Sequence, residues 1–253
     1  MTLLDRLRDA GRRFGQEVGD SHGALVYLRQ LLRGNEAPPA AGVVGVVPRE
    51  PVTGVPVLLI HGYLANRGSV HLLERRLCEK GHVVMTFRPE RMHTGDIRDT
   101  AGLVARKVES LCTQAPVDKV DIIGHSMGGL VGLDYVKRLG GRHRVRRLIL
   151  LGTPADGTWS ALLGLVTAPL GPASRQLLPG SRFLRELHEA PIPPGVEVTT
   201  VAGDRDLLAP LGSTEIPGVQ RVVVPASHAG LLVDEQVAEA LDAILKAPPR
   251  PAV

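Results

Sequence analysis

The sequence predicts an α/β protein built on a mainly parallel sheet of about six strands flanked by helices. Three observations predict it. From Val55 onward, apolar runs of strand length alternate with segments of helical period, the pattern of strands joined by crossover helices. A Gly-rich run centred on a serine, Gly124 to Gly129, directly follows one of those apolar runs. Carboxylates and a histidine then follow two later runs, so all of these polar groups fall at strand ends. Strands are read at Val55 to Ile60, His82 to Phe87, Val120 to Ile123, Arg147 to Leu151, Val196 to Val201 and Gln220 to Val224, with Val43 to Val47 as an additional edge strand. Helices are read at Ser69 to Lys80, Asp96 to Cys112, Met127 to Leu139 and Asp234 to Lys246.

Two segments stand outside this alternation. Thr2 to Arg33 reads as two amphipathic stretches, one holding Leu3, Leu4, Leu7 and Phe14 and the other Leu25, Val26, Leu28, Leu31 and Leu32, so residues 1–40 form a helical extension ahead of the main α/β domain at 41–253. Packing on that domain is the expected role of the extension, because Asp5, Asp9, Glu17 and Asp20 share its polar positions with the arginines. Peripheral membrane contact is the alternative, since Arg6, Arg8, Arg12, Arg13, Arg29 and Arg33 could face anionic lipid. The second segment, about forty residues between Gly152 and Gly195, is apolar and rich in proline, with Trp159, Leu162, Leu163, Leu165, Val166, Leu170, Leu177, Leu178, Phe183 and Leu184. A connection of that length must fold as short helices, and residues 155–195 are read as a cap-like insertion, with completion of the core as the competing role.

Composition narrows the partners. The 30 Lys and Arg are balanced by 26 Asp and Glu spread along the chain, and only 3% of residues are aromatic, which leaves little to stack on bases and argues against nucleic acid. Met1 to Gly15 carries charges of both signs and lacks the apolar run of a secretory signal, so a cytoplasmic protein is expected. Cys78 and Cys112 lie in different predicted helices with no metal-ligand spacing around them, and are expected to be buried free thiols. Oligomeric state is not encoded in any feature of the sequence.

The run Gly124-His125-Ser126-Met127-Gly128-Gly129 has the G-x-S-x-G form between an apolar strand and a helical segment. A serine on so sharp a turn needs small flanking residues, which Gly124 and Gly128 supply. A plain tight turn and a dinucleotide-binding loop are the competing readings; against the second, the glycines do not follow G-x-G-x-x-G and no Tyr-x-x-x-Lys pair comes after. A nucleophilic serine of this kind needs a base and an orienting carboxylate, which follow it in the order acid, then histidine. Asp204 and Asp206 both stand at a predicted strand end, and either could be the acid; His228 follows the last strand. His22, His71, His82, His93, His125, His143 and His188 do not follow both the serine and a strand-end carboxylate.

With these residues in hand, the chain resembles a bacterial lipase or esterase of the α/β-hydrolase superfamily from about Val55 to Leu245. The resemblance is carried by Leu59-Ile60-His61-Gly62-Tyr63, the Gly124 to Gly129 run, Leu150-Leu151-Gly152-Thr153-Pro154 with Gly157-Thr158, Gly203 to Asp206 with Pro210, and Ser227-His228-Ala229-Gly230-Leu231. It implies Ser126 as nucleophile, His228 as base, and Asp206 as acid, because the family's acid commonly stands four residues before a proline, as Asp206 does before Pro210. It also implies an oxyanion hole from the backbone N–H groups of Tyr63 and Met127, with His61 supporting that loop rather than reacting. No metal or organic cofactor is expected. The implied activity is hydrolysis of small-molecule or lipid esters with aliphatic acyl chains. An acyltransferase or thioesterase using the same residues is the alternative, and a lipid-binding scaffold without catalysis the third reading.

Overall fold

The computed structural model describes residues 5, 8–9, 11–12, 21–34, 54–88, 95–114, 117–161 and 171–248. In chain order these hold α1 (Ser21–Leu32), β1 (Val57–Ile60), α2 (Arg67–Glu79), β2 (Val84–Thr86), α3 (Ile97–Gln114), β3 (Val120–His125), α4 (Met127–Arg138), β4 (Val145–Leu151), α5 (Pro172–Gln176), α6 (Arg182–Glu189), β5 (Glu197–Gly203), β6 (Gln220–Val224), α7 (Gly230–Val233) and α8 (Glu235–Lys246). All six strands predicted from Val55 onward and the four long helices are present, with ends moved by a few residues. Leu3, Leu4, Leu7 and Phe14 of the first stretch of the extension, the edge strand at Val43 to Val47, and Leu162, Leu163, Leu165, Val166 and Leu170 of the insertion lie outside the described residues.

The six strands form one parallel sheet in the order β2-β1-β3-β4-β5-β6. Strands β1 and β3 are buried on both faces, which is why β1 reads as an unbroken apolar run and β3 as one broken only by Asp121, a buried carboxylate that accepts from Arg146. Alternate residues serve the two faces. Leu58, Ile60, Ile122, Leu148 and Leu150 pack with Ile97, Val104 and Val108 of α3 and with Leu130 and Val131 of α4. Val57, Leu59, Ile123, Ile149, Leu151 and Val201 pack with Val70, Leu73 and Leu77 of α2 and with Val237 and Leu241 of α8. After β1 the chain turns outward to β2, then returns to the other side of β1 for β3. The direction of winding therefore reverses between β1 and β3, and it is beyond the carboxyl ends of the strands at such a reversal that open parallel sheets bind ligands.

Helix α1 packs on α2 and α7, and its docked face departs from the sequence pattern. Val26 and Tyr27 join the second core cluster and Gln30 is buried, whereas Leu25, Leu28 and Leu32 point to solvent. A twelve-residue helix with two apolar stripes can dock only one of them. The one used holds Val26 and the Tyr27 ring. The described part of the insertion is likewise turned inward: Ala173, Leu177, Phe183, Leu184 and Leu187 are buried against the α3 and α4 side of the core. Cys78 and Cys112 are free, as expected, but half-buried rather than buried, because each sits at the margin of its helix's packed face. No described helix is long and apolar enough to cross a membrane.

Candidate active site

Ser126 occupies the turn between β3 and α4 with φ 55° and ψ −125°, one of two described non-glycine residues at positive φ. Such a conformation costs ~1–3 kcal/mol and persists only where the surroundings hold it. They do so here through close backbone approach. The Ser126 N–H donates to Leu151 O at 2.9 Å, and a Cβ on Gly124 would fall 2.5 Å from Gly128 O and from the Gly129 backbone. Beside it the His61-Gly62-Tyr63 turn comes off β1, and a Cβ on Gly62 would lie 2.9 Å from Ser126 Cβ and 3.4 Å from its Oγ. The two loops at the winding reversal are therefore in contact at the serine. Tyr63 follows Gly62, and Met127 opens α4 directly after Ser126. His61 is fully buried, and its Nδ1–H donates to Gly62 O at 3.3 Å, which braces the turn. The Tyr63 phenol is pushed above its ordinary pKa by burial, against the opposing effect of the nearby Ser174 hydroxyl.

His228 follows β6, and its Nδ1 lies 2.7 Å from Asp206 Oδ2. The Asp206 side chain is fully buried, and its second oxygen, Oδ1, accepts from Leu208 N at 3.0 Å and Ala209 N at 2.6 Å. A carboxylate held by two backbone N–H groups has one oxygen left for the imidazole, which fixes the His228 proton on Nδ1 and leaves Nε2 as the basic nitrogen. Asp204 stands apart, 47% exposed and paired with Arg205 at 3.6 Å. Gly152, at the end of β4 with φ 55°, makes the pair sterically feasible: a Cβ there would lie 3.1 Å from Asp206 Oδ2, 3.4 Å from His228 Nδ1 and 2.5 Å from a Leu231 methyl. Leu151 O, one residue earlier, holds the Ser126 amide, so β4 places the serine beside the Asp206–His228 pair.

His125, which order along the chain sets aside as a base, lies between the two halves of the site. It is 4% exposed, its ring centroid is 4.6 Å from that of His228, and its Nε2 is 3.3 Å from His228 O. A carbonyl can only accept, so Nε2 carries the proton, and Nδ1 has no hydrogen-bond partner among the described residues. Burial, and secondarily the charge His228 would carry, holds His125 well below its ordinary value of 6.5. The one signal of this in the sequence is its position beside Ser126 at the end of an apolar strand.

A pH effect follows, with a definite sign. Below 6.5 the unfolded chain binds a proton at this residue that the folded chain refuses, so stability is present above 6.5 and declines as pH falls below it. Denaturant unfolding at pH 7.0 and 5.5 is expected to show a stability loss in the wild type that His125→Gln reduces, by up to ~1.4 kcal/mol per pH unit. Equal losses in the two proteins would assign the acid sensitivity elsewhere. Other histidines are engaged away from this site: His82 with Asp242 at 2.7 Å, His71 beside Glu74 at 3.8 Å and His188 with Ala155 O at 3.1 Å.

Comparison with known proteins agrees with this architecture. The family model described as "Alpha/beta hydrolase family" matches residues 57–253. Among solved structures, the mature form of the Bacillus licheniformis lipase BlEst2 aligns with a TM-score of 0.68 at 15% identity, covering 79% of this chain and 95% of that one. The propeptide form aligns at 0.69 and 15% identity over 81% of this chain, which spans only 54% of that longer chain. Aspergillus fumigatus lipase B aligns at 0.66 and 17% identity, over 85% of this chain and 62% of its own. These likenesses are of fold. The family match, extending from the first core strand through the last helix, shows that the chain belongs to the alpha/beta hydrolase family.

Proposed function

We propose that the chain is a serine carboxylic-ester hydrolase acting through an acyl-serine intermediate, with Ser126 as nucleophile, His228 as base and Asp206 as the acid. The observation that carries this reading is the buried Asp206 carboxylate 2.7 Å from His228 Nδ1, beside a serine held at φ 55°. His228 Nε2 takes the Ser126 proton as Oγ attacks the ester carbonyl. The resulting oxyanion accepts from the Tyr63 and Met127 backbone N–H groups, each such donor contributing ~3 kcal/mol to the barrier reduction. His228 then returns its proton to the departing alcohol, and water repeats the sequence to release the acid.

Aliphatic acyl chains are the favoured substrates because exposed apolar side chains stand next to the loops that carry Tyr63 and Asp206. Leu64, exposed, follows Tyr63; Trp159, partly exposed, follows Thr158, whose hydroxyl donates to Leu208 O in the Asp206 loop. Turnover of p-nitrophenyl esters from acetate to palmitate is expected, with higher kcat/KM for butyrate or longer chains than for acetate. Inertness toward the whole series would remove the ester reading. Adding an alcohol acceptor separates the alternatives: free acid as the main product supports a hydrolase, and preferential formation of new ester an acyltransferase.

A further inference from the structure

Helix α1 buries one apolar face and leaves another open. The open stripe is Leu25, Leu28 and Leu32, exposed by 70%, 49% and 79%; their spacing of three and four residues aligns them on the side opposite Val26, Tyr27 and Gln30. Arg29 is exposed along the same side and Arg33 is exposed in the turn that follows the helix, and neither has an ion-pair partner among the described residues. No acidic residue occurs from Ser21 to Leu32. A leucine stripe edged by arginines and free of carboxylates complements a surface that is apolar below and negatively charged above, which is the interface of an anionic bilayer.

The place of α1 in the fold ties this stripe to the site. Asn66 Nδ2 donates to Leu31 O at 2.9 Å, and Gly68 lies so close to Gln30 O that no larger residue would fit. Asn66 belongs to the loop that carries Tyr63 and the exposed Leu64, itself held at φ 55°. The other neighbour of α1 is α7, which starts two residues after His228. The helix thus bridges the loop ahead of α2 and the segment that follows the histidine.

We propose that the outer face of α1, with Leu64 beside it, docks on the surface of anionic phospholipid membranes and sets the entrance of the Ser126 site against the lipid. Docking itself does not require that Ser126 be reactive; only the delivery of lipid esters to that site rests on the function proposed above. The two claims therefore fail separately. Co-sedimentation of the full chain with vesicles of phosphatidylglycerol and phosphatidylcholine, and with phosphatidylcholine alone, tests the docking.

The wild type is expected to partition onto the anionic vesicles. Leu25→Ser/Leu28→Ser/Leu32→Ser should weaken that partition by ~100-fold or more, since each leucine removed costs about a factor of ten. Arg29→Glu/Arg33→Glu should abolish the preference for anionic vesicles. Both variants should keep the wild-type turnover of soluble p-nitrophenyl butyrate, because all five side chains are exposed. The double variant Leu28→Trp/Trp159→Phe gives a readout without loss of the stripe: its tryptophan emission should shift to the blue on anionic vesicles. Absence of wild-type partition, variants that sediment like the wild type, or an unshifted emission from the double variant would each overturn the proposal. So would a dimer in vesicle-free solution that the triple serine variant dissociates, since that would assign the stripe to a second copy of the chain.

Discussion

Ser126→Ala is expected to lower kcat for p-nitrophenyl butyrate by ~10⁵–10⁶-fold while leaving the folded structure intact. The size follows from the covalent step of the proposed mechanism: in it, without Oγ there is no acyl-enzyme, and what remains is the modest acceleration that binding and the oxyanion donors would give to attack by water. The fold should survive because what holds Ser126 at φ 55° is backbone, the hydrogen bond to Leu151 O and the close contacts across Gly124 and Gly128, none of which involves the hydroxyl. Unchanged thermal unfolding beside lost turnover is therefore the expected pair of results. A fluorophosphonate should label the wild type at Ser126 and leave the variant unlabelled. Turnover that persists in the variant would remove the serine from the chemistry and with it the acyl-serine mechanism.

The parts of this site that the sequence made legible are those that depend on order along the chain. Strands β1 and β3 are buried on both faces, so their apolar runs stood out, and the glycines around Ser126 marked a turn too tight for side chains. What depends on packing across the sheet was less visible. Gly152 could be seen as part of a Gly-Thr-Pro run, but its contact with both Asp206 and His228 arises only because β4 lies between β3 and β5. Little in the sequence separates His125 from the other competing histidines, since its bond to His228 O spans 103 residues. The face of α1 reads as a single apolar set because periodicity alone counts leucines and does not register that Val26, Tyr27 and Gln30 are the side chains turned inward where α1 meets α2 and α7.

Asp204 and Asp206 illustrate the same boundary, and a pair of substitutions there gives the second large expected effect. Two positions apart on the exit from β5, both reach the strand-end loop, and their place at the strand end does not separate them. The structure distinguishes them by burial and bonding: Asp204 is exposed and paired with Arg205, whereas Asp206 is enclosed and bonded to His228. Asp206→Asn is expected to reduce kcat by ~10⁴-fold, and Asp204→Asn by less than about twofold. The reason lies in the two amides of Leu208 and Ala209, which donate to Oδ1. They would hold the oxygen of an asparagine at that same position, turning its NH₂ toward His228. A donor facing Nδ1 would draw the lone pair there and move the imidazole proton to Nε2, the nitrogen that must be free to take the Ser126 proton. Geometry and stability would change little while the base faced the serine in the wrong tautomer. Nitrogen chemical shifts of His228 in the two variants should show the exchange in Asp206→Asn alone, and comparable activity in both would mean that the carboxylate at 206 does not orient the base.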